Sequence, residues 1–300
     1  MEAIATRPGG VAQIGALLAT LWRRGMDRFA RHTVLTVAAA SDVGVIRANN
    51  EDYVLIADLA RPGLSVGGTE DLGVLTSERS LLIVADGMGG AAGGEIASAM
   101  AADVIGAYVA DALQGRQLRT GIQVRQALVE AFEAANRRIR HGAERDAELR
   151  GMGTTATTAT VLGHCLYIAH VGDSRAYLVR DGRAQRLTKD HSVLQYLMDA
   201  GTLDAVAIAG QQRNALLRAL GIQDEVLVDT CQVALRRGDT VVLCTDGLWS
   251  VIDDAELARL VAAEPKLRTL CATLLGLANE RGGHDNTTVV VARPSAAACV

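Results

Sequence analysis

Three apolar runs in this sequence each end on an acid. Leu81-Leu82-Ile83-Val84-Ala85 leads into Asp86-Gly87, Val241-Val242-Leu243-Cys244-Thr245 leads into Asp246-Gly247, and Tyr167 to Val171 leads into Gly172-Asp173. A fourth acid, Asp285, stands with Asn286 just before a last apolar run, Thr287 to Ala292. A buried strand delivers such a carboxylate to the rim of a sheet, and several on one rim would supply the oxygen ligands that hard divalent cations prefer. Zinc would ask instead for His or Cys. Gly87 adds a second device, because a residue without Cβ lets its own carbonyl approach an ion closely and give an oxygen without charge. A single Asp-Gly after an apolar run is a common hairpin signal. The recurrence is what points to a metal site.

Upstream, Arg47-Ala48-Asn49-Asn50-Glu51-Asp52 places a guanidinium and two acids in a polar loop between two predicted strands. The guanidinium fork matches a phosphate bidentately, and the acids suit water held on a metal. His170 and His164 share a strand, and His170 reads as a core or rim residue. His191 and His284 fall in loops near the candidate rim, where either could donate a proton. Rival chemistries lack their parts. Gly87-x-Gly89-x-x-Ala92 is followed by helix rather than by the second strand and acid of a dinucleotide site. Cys231 and Arg237 have the spacing of a cysteine phosphatase loop, but the residues between them read as a strand that cannot curl around an anion. No G-x-x-x-x-G-K-[ST] loop occurs.

The elements that position these groups come in blocks. Val34 to Ala40, Tyr53 to Ala57 and Leu81 to Ala85 read as strands. Two helices follow, their buried faces predicted from Ile96, Met100, Val104 and Tyr108 and from Val124, Leu128, Phe132 and Ile139. A second β block covers Thr154 to Leu162, Cys165 to Val171 and Arg175 to Val179, with Asp181-Gly182 closing a hairpin, then Val226 to Val233 and Thr240 to Thr245. Helices are expected at 254–263 and 266–280, the latter with Pro265 near its first turn, before the last strand. Strands grouped with strands and helices with helices predict an α+β fold with largely antiparallel sheets. Segments 60–80 and 191–225 read as irregular excursions, the first as a mobile insertion.

At 300 residues with 49% hydrophobic content and 21% charged, the chain can bury a full core without staples, so a metal here would be catalytic rather than structural. A net charge of −4 without a long basic stretch argues against nucleic acid. Five cysteines, with no C-x-x-C pair, suggest neither disulfides nor a thiolate zinc site and fit a reducing, cytoplasmic setting. Residues 1–32 read as a helical extension with a basic end, Arg23, Arg24, Arg28 and Arg31, that packs on the domain or docks on a partner or membrane surface. Its apolar run, Val11 to Trp22, is shorter than the ~20 residues a bilayer span needs.

Six motifs follow in order: Ser41-Asp42-Val43-Gly44 with Arg47 and Asn49 to Asp52, Ala85-Asp86-Gly87-Met88-Gly89-Gly90, Gly151-Met152-Gly153-Thr154-Thr155, Gly172-Asp173-Ser174-Arg175, Thr245-Asp246-Gly247-Leu248-Trp249 and Asp285-Asn286, within residues 37 to 292. This series resembles the metal-dependent protein serine/threonine phosphatases of the 2C type (the PPM family) in their bacterial form. The resemblance implies a four-layer αββα sandwich, two antiparallel sheets flanked by helix pairs, over residues 33–294, with a flap at about 191–225 and a tail at 295–300. It also implies two Mn²⁺ or Mg²⁺ ions: Asp86 bridging both, the Gly87 carbonyl on the second, Asp246 and Asp285 completing the first. Glu51 and Asp52 would act through water, Arg47 would grip the substrate phosphate, and Asp173 with Asp246 would hold a weaker third ion. The implied reaction is hydrolysis of phosphoserine and phosphothreonine in proteins by a metal-activated water, opposing bacterial serine/threonine kinases, with monomer as the default state. The alternative is a catalytically idle phosphoprotein-binding module of the same fold. Two departures stand out: Met88 where animal members have a His, and Ala205 to Gln212 without the usual His-Pro run.

Overall fold

The structure is a computed structural model that describes residues 33–59, 61, 65–68, 74–77, 79–89, 93–115, 120–201 and 215–296. The expected N-terminal helix, the stretch Ala205 to Gln212 and Cys299 lie outside the described residues.

β1 (Thr33–Asp42), β4 (Val74–Ser77), β9 (Arg175–Arg180), β10 (Arg183–Arg186), β12 (Thr240–Cys244) and β13 (Thr287–Ala296) form one antiparallel sheet in the order β10-β9-β12-β13-β1-β4. β2 (Asp52–Asp58), β3 (Ser65–Gly68), β5 (Arg79–Met88), β7 (Ala156–Leu162), β8 (Cys165–Val171) and β11 (Asp229–Ala234) form the other, in the order β11-β8-β7-β5-β2-β3. The short β6 (Gly153–Thr154) pairs with the end of β5. Alternation along the strands sends one set of side chains between the sheets, among them Val37, Val54, Val84, Ile168, Leu243 and Val290.

The opposite set faces helices. Leu55, Leu81, Ile83 and Ala169 pack under α1 (Gly93–Gly115) and α2 (Gly121–Arg145). Ala38, Val242, Val289 and Val291 pack under α5 (Asp254–Ala263) and α6 (Leu267–Glu280). Three apolar layers between four layers of secondary structure make the αββα sandwich. The hairpin β9–β10 closes at Asp181-Gly182, as its residues predict, with Arg180 opposite Arg183.

Four details differ from the sequence expectation. In α1 the fully buried stripe is Ala97, Ala101, Ile105 and Val109, while Ile96, Met100, Val104 and Tyr108 flank it half-buried. Small side chains let this helix lie close on the sheet, so the larger ones are turned to the sides, where α1 meets α2. Segment 58–80 is not simply a mobile insertion: it contains β3, paired with β2 in one sheet, and β4, paired with β1 in the other. The chain therefore crosses from one sheet to its neighbour there. Pro265 precedes Lys266, the N-cap of α6, and so lies outside the helix. β11 starts only at Asp229, and β13 runs on to Ala296, two residues into the expected tail, where it pairs with Thr33.

Candidate metal centre

Asp86 is not at a strand end. β5 pairs with β7 as far as Val84, opposite Thr157, then changes partner to β6, with Gly87 opposite Thr154. At the change of partner the Asp86 N–H donates to Thr155 Oγ1 at 3.0 Å, and the Asp86 carbonyl accepts from the Thr155 N–H and the Thr154 hydroxyl, each at 2.8 Å. These bonds hold the backbone at the irregularity and leave the carboxylate to point elsewhere. A Cβ on Gly87 would run into the Gly94 carbonyl oxygen and come within 2.7 Å of the Glu51 carbonyl oxygen, so this close approach requires glycine.

Asp246 follows β12 and opens the single turn α4 (Asp246–Trp249). Asp173 follows Gly172, whose φ of 109° and closeness to the Thr155 side chain leave no room for a larger residue. The Asp173 carbonyl accepts from Trp249 Nε1 at 2.9 Å, tying that turn to α4. Asp285 accepts from Arg47 Nη2 at 2.7 Å. Glu51 is held through its backbone, donating N–H to Asn286 Oδ1 at 2.8 Å. The Asn286 amide in turn donates to the carbonyls of Val43 and Asn49 at 2.9 Å each.

Arg47, Glu51, Asp86, Gly87, Met88, Asp173, Asp246 and Asp285 thus line one cavity of about 470 Å³ at one end of the sandwich. Asp52 does not line it. It is buried behind the cavity, where Thr245 Oγ1 donates to its Oδ2 at 2.7 Å, linking the two sheets. Neither His191 nor His284 lines the cavity. His191 is buried and spans from the Gly172 N–H, accepted at Nδ1, to Asp229 near Nε2. His170 is fully buried against Thr157 and the Lys189 carbonyl, and burial pushes its pKa down to about 3, so it is a neutral core residue.

The electrostatics are those of anions crowded without compensation. Burial, then the neighbouring carboxylates, pushes the Asp86 carboxyl well above the ordinary range, and burial does the same for Asp52. Asp246 is raised by burial and by Asp285, and Asp173 is pushed up to about 8 by burial, Asp246 and Asp190. Among the described lining residues Arg47 is the cation. Asp52 Oδ1 and Asp246 Oδ1 are buried without a hydrogen-bond donor. Such a set fits divalent cations: oxygen donors only, excess negative charge, and orphaned carboxylate oxygens. Among the described residues no three His, Cys, Asp or Glu side chains close around a single point.

Two groups escaped the sequence reading. Thr245 and Asn286 lie in the quoted motifs, but their work, holding Asp52 and the Arg47–Glu51 loop, depends on contacts between segments about two hundred residues apart. A polar residue fixed beside each acid was the only signal available.

With this geometry in view, comparison with known proteins is direct. The model of the protein phosphatase 2C family matches residues 71–286, and the chain belongs to that family. Protein phosphatase PhpP of Streptococcus pneumoniae is 34% identical over 258 residues, covering 86% of this chain and 96% of that protein. The structure of the S. agalactiae serine/threonine phosphatase superposes with a TM-score of 0.74 at 31% identity, covering 86% of this chain and 99% of that one. The catalytic domain of the serine/threonine phosphatase PstP, solved in complex with two manganese ions, gives 0.69 at 34% identity, covering 87% and 99%.

Proposed function

We propose that this chain is an active protein serine/threonine phosphatase that uses Mn²⁺ or Mg²⁺ held by Asp86, the Gly87 carbonyl, Asp246 and Asp285, with Asp173 serving a further ion. The observation that carries this reading is the single cavity on which these groups and Arg47 converge. In such a site the cations supply activation of water as nucleophile and relief of charge on the phosphoryl oxygens. An idle module is disfavoured because no carboxylate of the set is missing.

The chain's own residues do the rest. Arg47, half-exposed at the mouth, is paired with Asp285 and offers its remaining N–H groups to a phosphate. Asn286 fixes the loop that carries Arg47 and Glu51, and so orients the bound phosphate relative to the carboxylates. Asp52, held by Thr245, supports the cluster from behind. Met88 has no proton to give and no histidine among the described residues lines the cavity, so the leaving alkoxide takes its proton from water or from a lining carboxyl. Opposition to a serine/threonine kinase, action as a monomer and a cytoplasmic location complete the proposal.

Phosphate release from a phosphothreonine peptide with Mn²⁺, with Mg²⁺ and with EDTA tests it. Metal-dependent release is expected. No release by folded protein that binds Mn²⁺ would favour the idle module.

A further inference from the structure

Beside the carboxylate cavity lies a second, smaller one of about 240 Å³, and Asp173 lines both. Its inner wall is held by stacking and hydrogen bonds. Arg175 stacks on Trp249, its Cζ 3.7 Å from the ring centre, and grips Asp190 through Nε and Nη2 at 2.6–3.2 Å, while Nη1 reaches the Tyr177 hydroxyl at 3.1 Å. Arg175 and Asp190 therefore satisfy each other.

Arg186, on the edge strand β10, is different. Its Nη2 donates to Gln195 Oε1 at 3.0 Å, and its Nη1 donates at 3.4 Å to Asp190 Oδ2, which Arg175 already engages. Of the five N–H donors of a guanidinium, three are unused among the described residues. The side chain is partly exposed and lines the cavity, as does half-exposed Met198 on α3 (Val193–Asp199). Two arginines share one carboxylate here, and Asp173 belongs to the metal set. With Asp173 turned to a cation, the two arginines face the single carboxylate of Asp190, and the unused donors of Arg186 form a fork suited to a carboxylate or phosphate.

We propose that this cavity receives an anionic side chain of the substrate polypeptide, acidic or itself phosphorylated, near the phosphoresidue being hydrolysed, with Arg186 as the group that binds it. The proposal rests on the phosphatase reading of the adjoining site. It makes Arg186 a determinant of which phosphoproteins are preferred.

The test uses the full chain with Mn²⁺ and labelled peptides whose central phosphothreonine is replaced by a non-hydrolysable phosphonate. Each position up to about four residues to either side carries Ala, Glu, phosphothreonine or Lys in turn, the reach of an extended chain at ~3.4 Å per residue. At one position or a neighbouring pair, an anion should tighten binding about three- to tenfold over Ala, and Lys should weaken it. Arg186→Gln and Arg186→Ala should bring the ratio of anionic to Ala peptide to about one. Tightening by both Glu and phosphothreonine assigns the site to anions in general, and by phosphothreonine alone to a second phosphate. No position distinguishing anion from Lys, or an unchanged ratio in folded Arg186→Gln protein, would overturn the proposal. Phosphate release from the matching hydrolysable peptides is read in parallel. Anion preference in binding without any release would count against the phosphatase reading alone.

Discussion

Asp52 and Asp86 stand directly opposite each other on β2 and β5, so one rung of the sheet carries two carboxylates on the same face. Like charges at facing positions of an antiparallel pair repel, and each raises the cost of ionising the other. Asp52 contributes to the upward shift of Asp86 second only to burial. The fold therefore holds the cluster together against its own electrostatics, and cations bound there relieve that repulsion.

Asp86→Asn should abolish metal-dependent phosphate release. The same change should raise the melting temperature of the metal-free protein at pH 8, because it removes one charge from a repelling set. Thermal melts with EDTA check this, and a lower melting point would contradict the account of the cluster.

The pH dependence of the metal-free protein follows from the raised pKa values. An acid that ionises near 3.8 when unfolded but higher when folded binds more protons in the folded state at intermediate pH. Its contribution to stability is full below pH ~4 and is lost as pH rises through the folded value, which for Asp173 is about 8. Metal-free protein should thus melt lower at pH 8 than at pH 5. Added Mn²⁺, competing with those protons, should raise the melting temperature more at pH 8. Equal Mn²⁺ effects at both pH values would argue against these acids as ligands.

Arg47→Ala should raise KM for a phosphopeptide at least tenfold while Mn²⁺ still binds, since the guanidinium is placed to hold phosphate and its loss frees Asp285. Calorimetric Mn²⁺ titration alongside steady-state kinetics separates the two effects. Lost Mn²⁺ affinity with KM intact would reverse the assignment.

Thr245→Val keeps the shape but removes the donor to Asp52 and the acceptor for the Thr288 N–H. Leaving these buried groups unpaired should cost ~1–3 kcal/mol of stability, measured by urea denaturation. A Val variant as stable as the parent would mean that the inter-sheet contact contributes nothing.

Replacing all five cysteines by Ala should leave metal-dependent turnover in place. Cys244 and Cys271 are buried packing residues, and burial pushes the Cys244 thiol up to about 12, far from a nucleophilic thiolate. Some stability should be lost with the two core sulfurs. Complete loss of activity in a folded variant would implicate a thiol in the chemistry.

The acids of the site were legible because an acid after an apolar run, common once, recurs three times in the chain, and hydrophobic periodicity placed most strands. Where the reading failed, tertiary packing chose against local pattern. Ile96, Met100, Val104 and Tyr108 are the more apolar stripe of α1, yet a helix pressed onto a sheet buries its alanines. β3 and β4 lacked an alternating apolar pattern because each lies at a sheet edge, paired with its sheet on one side. The roles of Thr245 and Asn286 belong to contacts between distant segments, which no local window contains.

β1 pairs along its whole length with β13, Thr33 with Ala296 through Asp42 with Thr287. The first described strand pairs over four residues with β4, but its full-length partner is made only as the last strand, and Asp285 enters the chain just before that strand. A polypeptide stopped short of residue 285 has the Arg47 loop, Asp86, Asp173 and Asp246, but neither the last carboxylate nor the strand that completes the sheet. The carboxylate cavity is therefore closed by the two segments farthest apart in sequence, and its last acid is among the last of the described residues to be made.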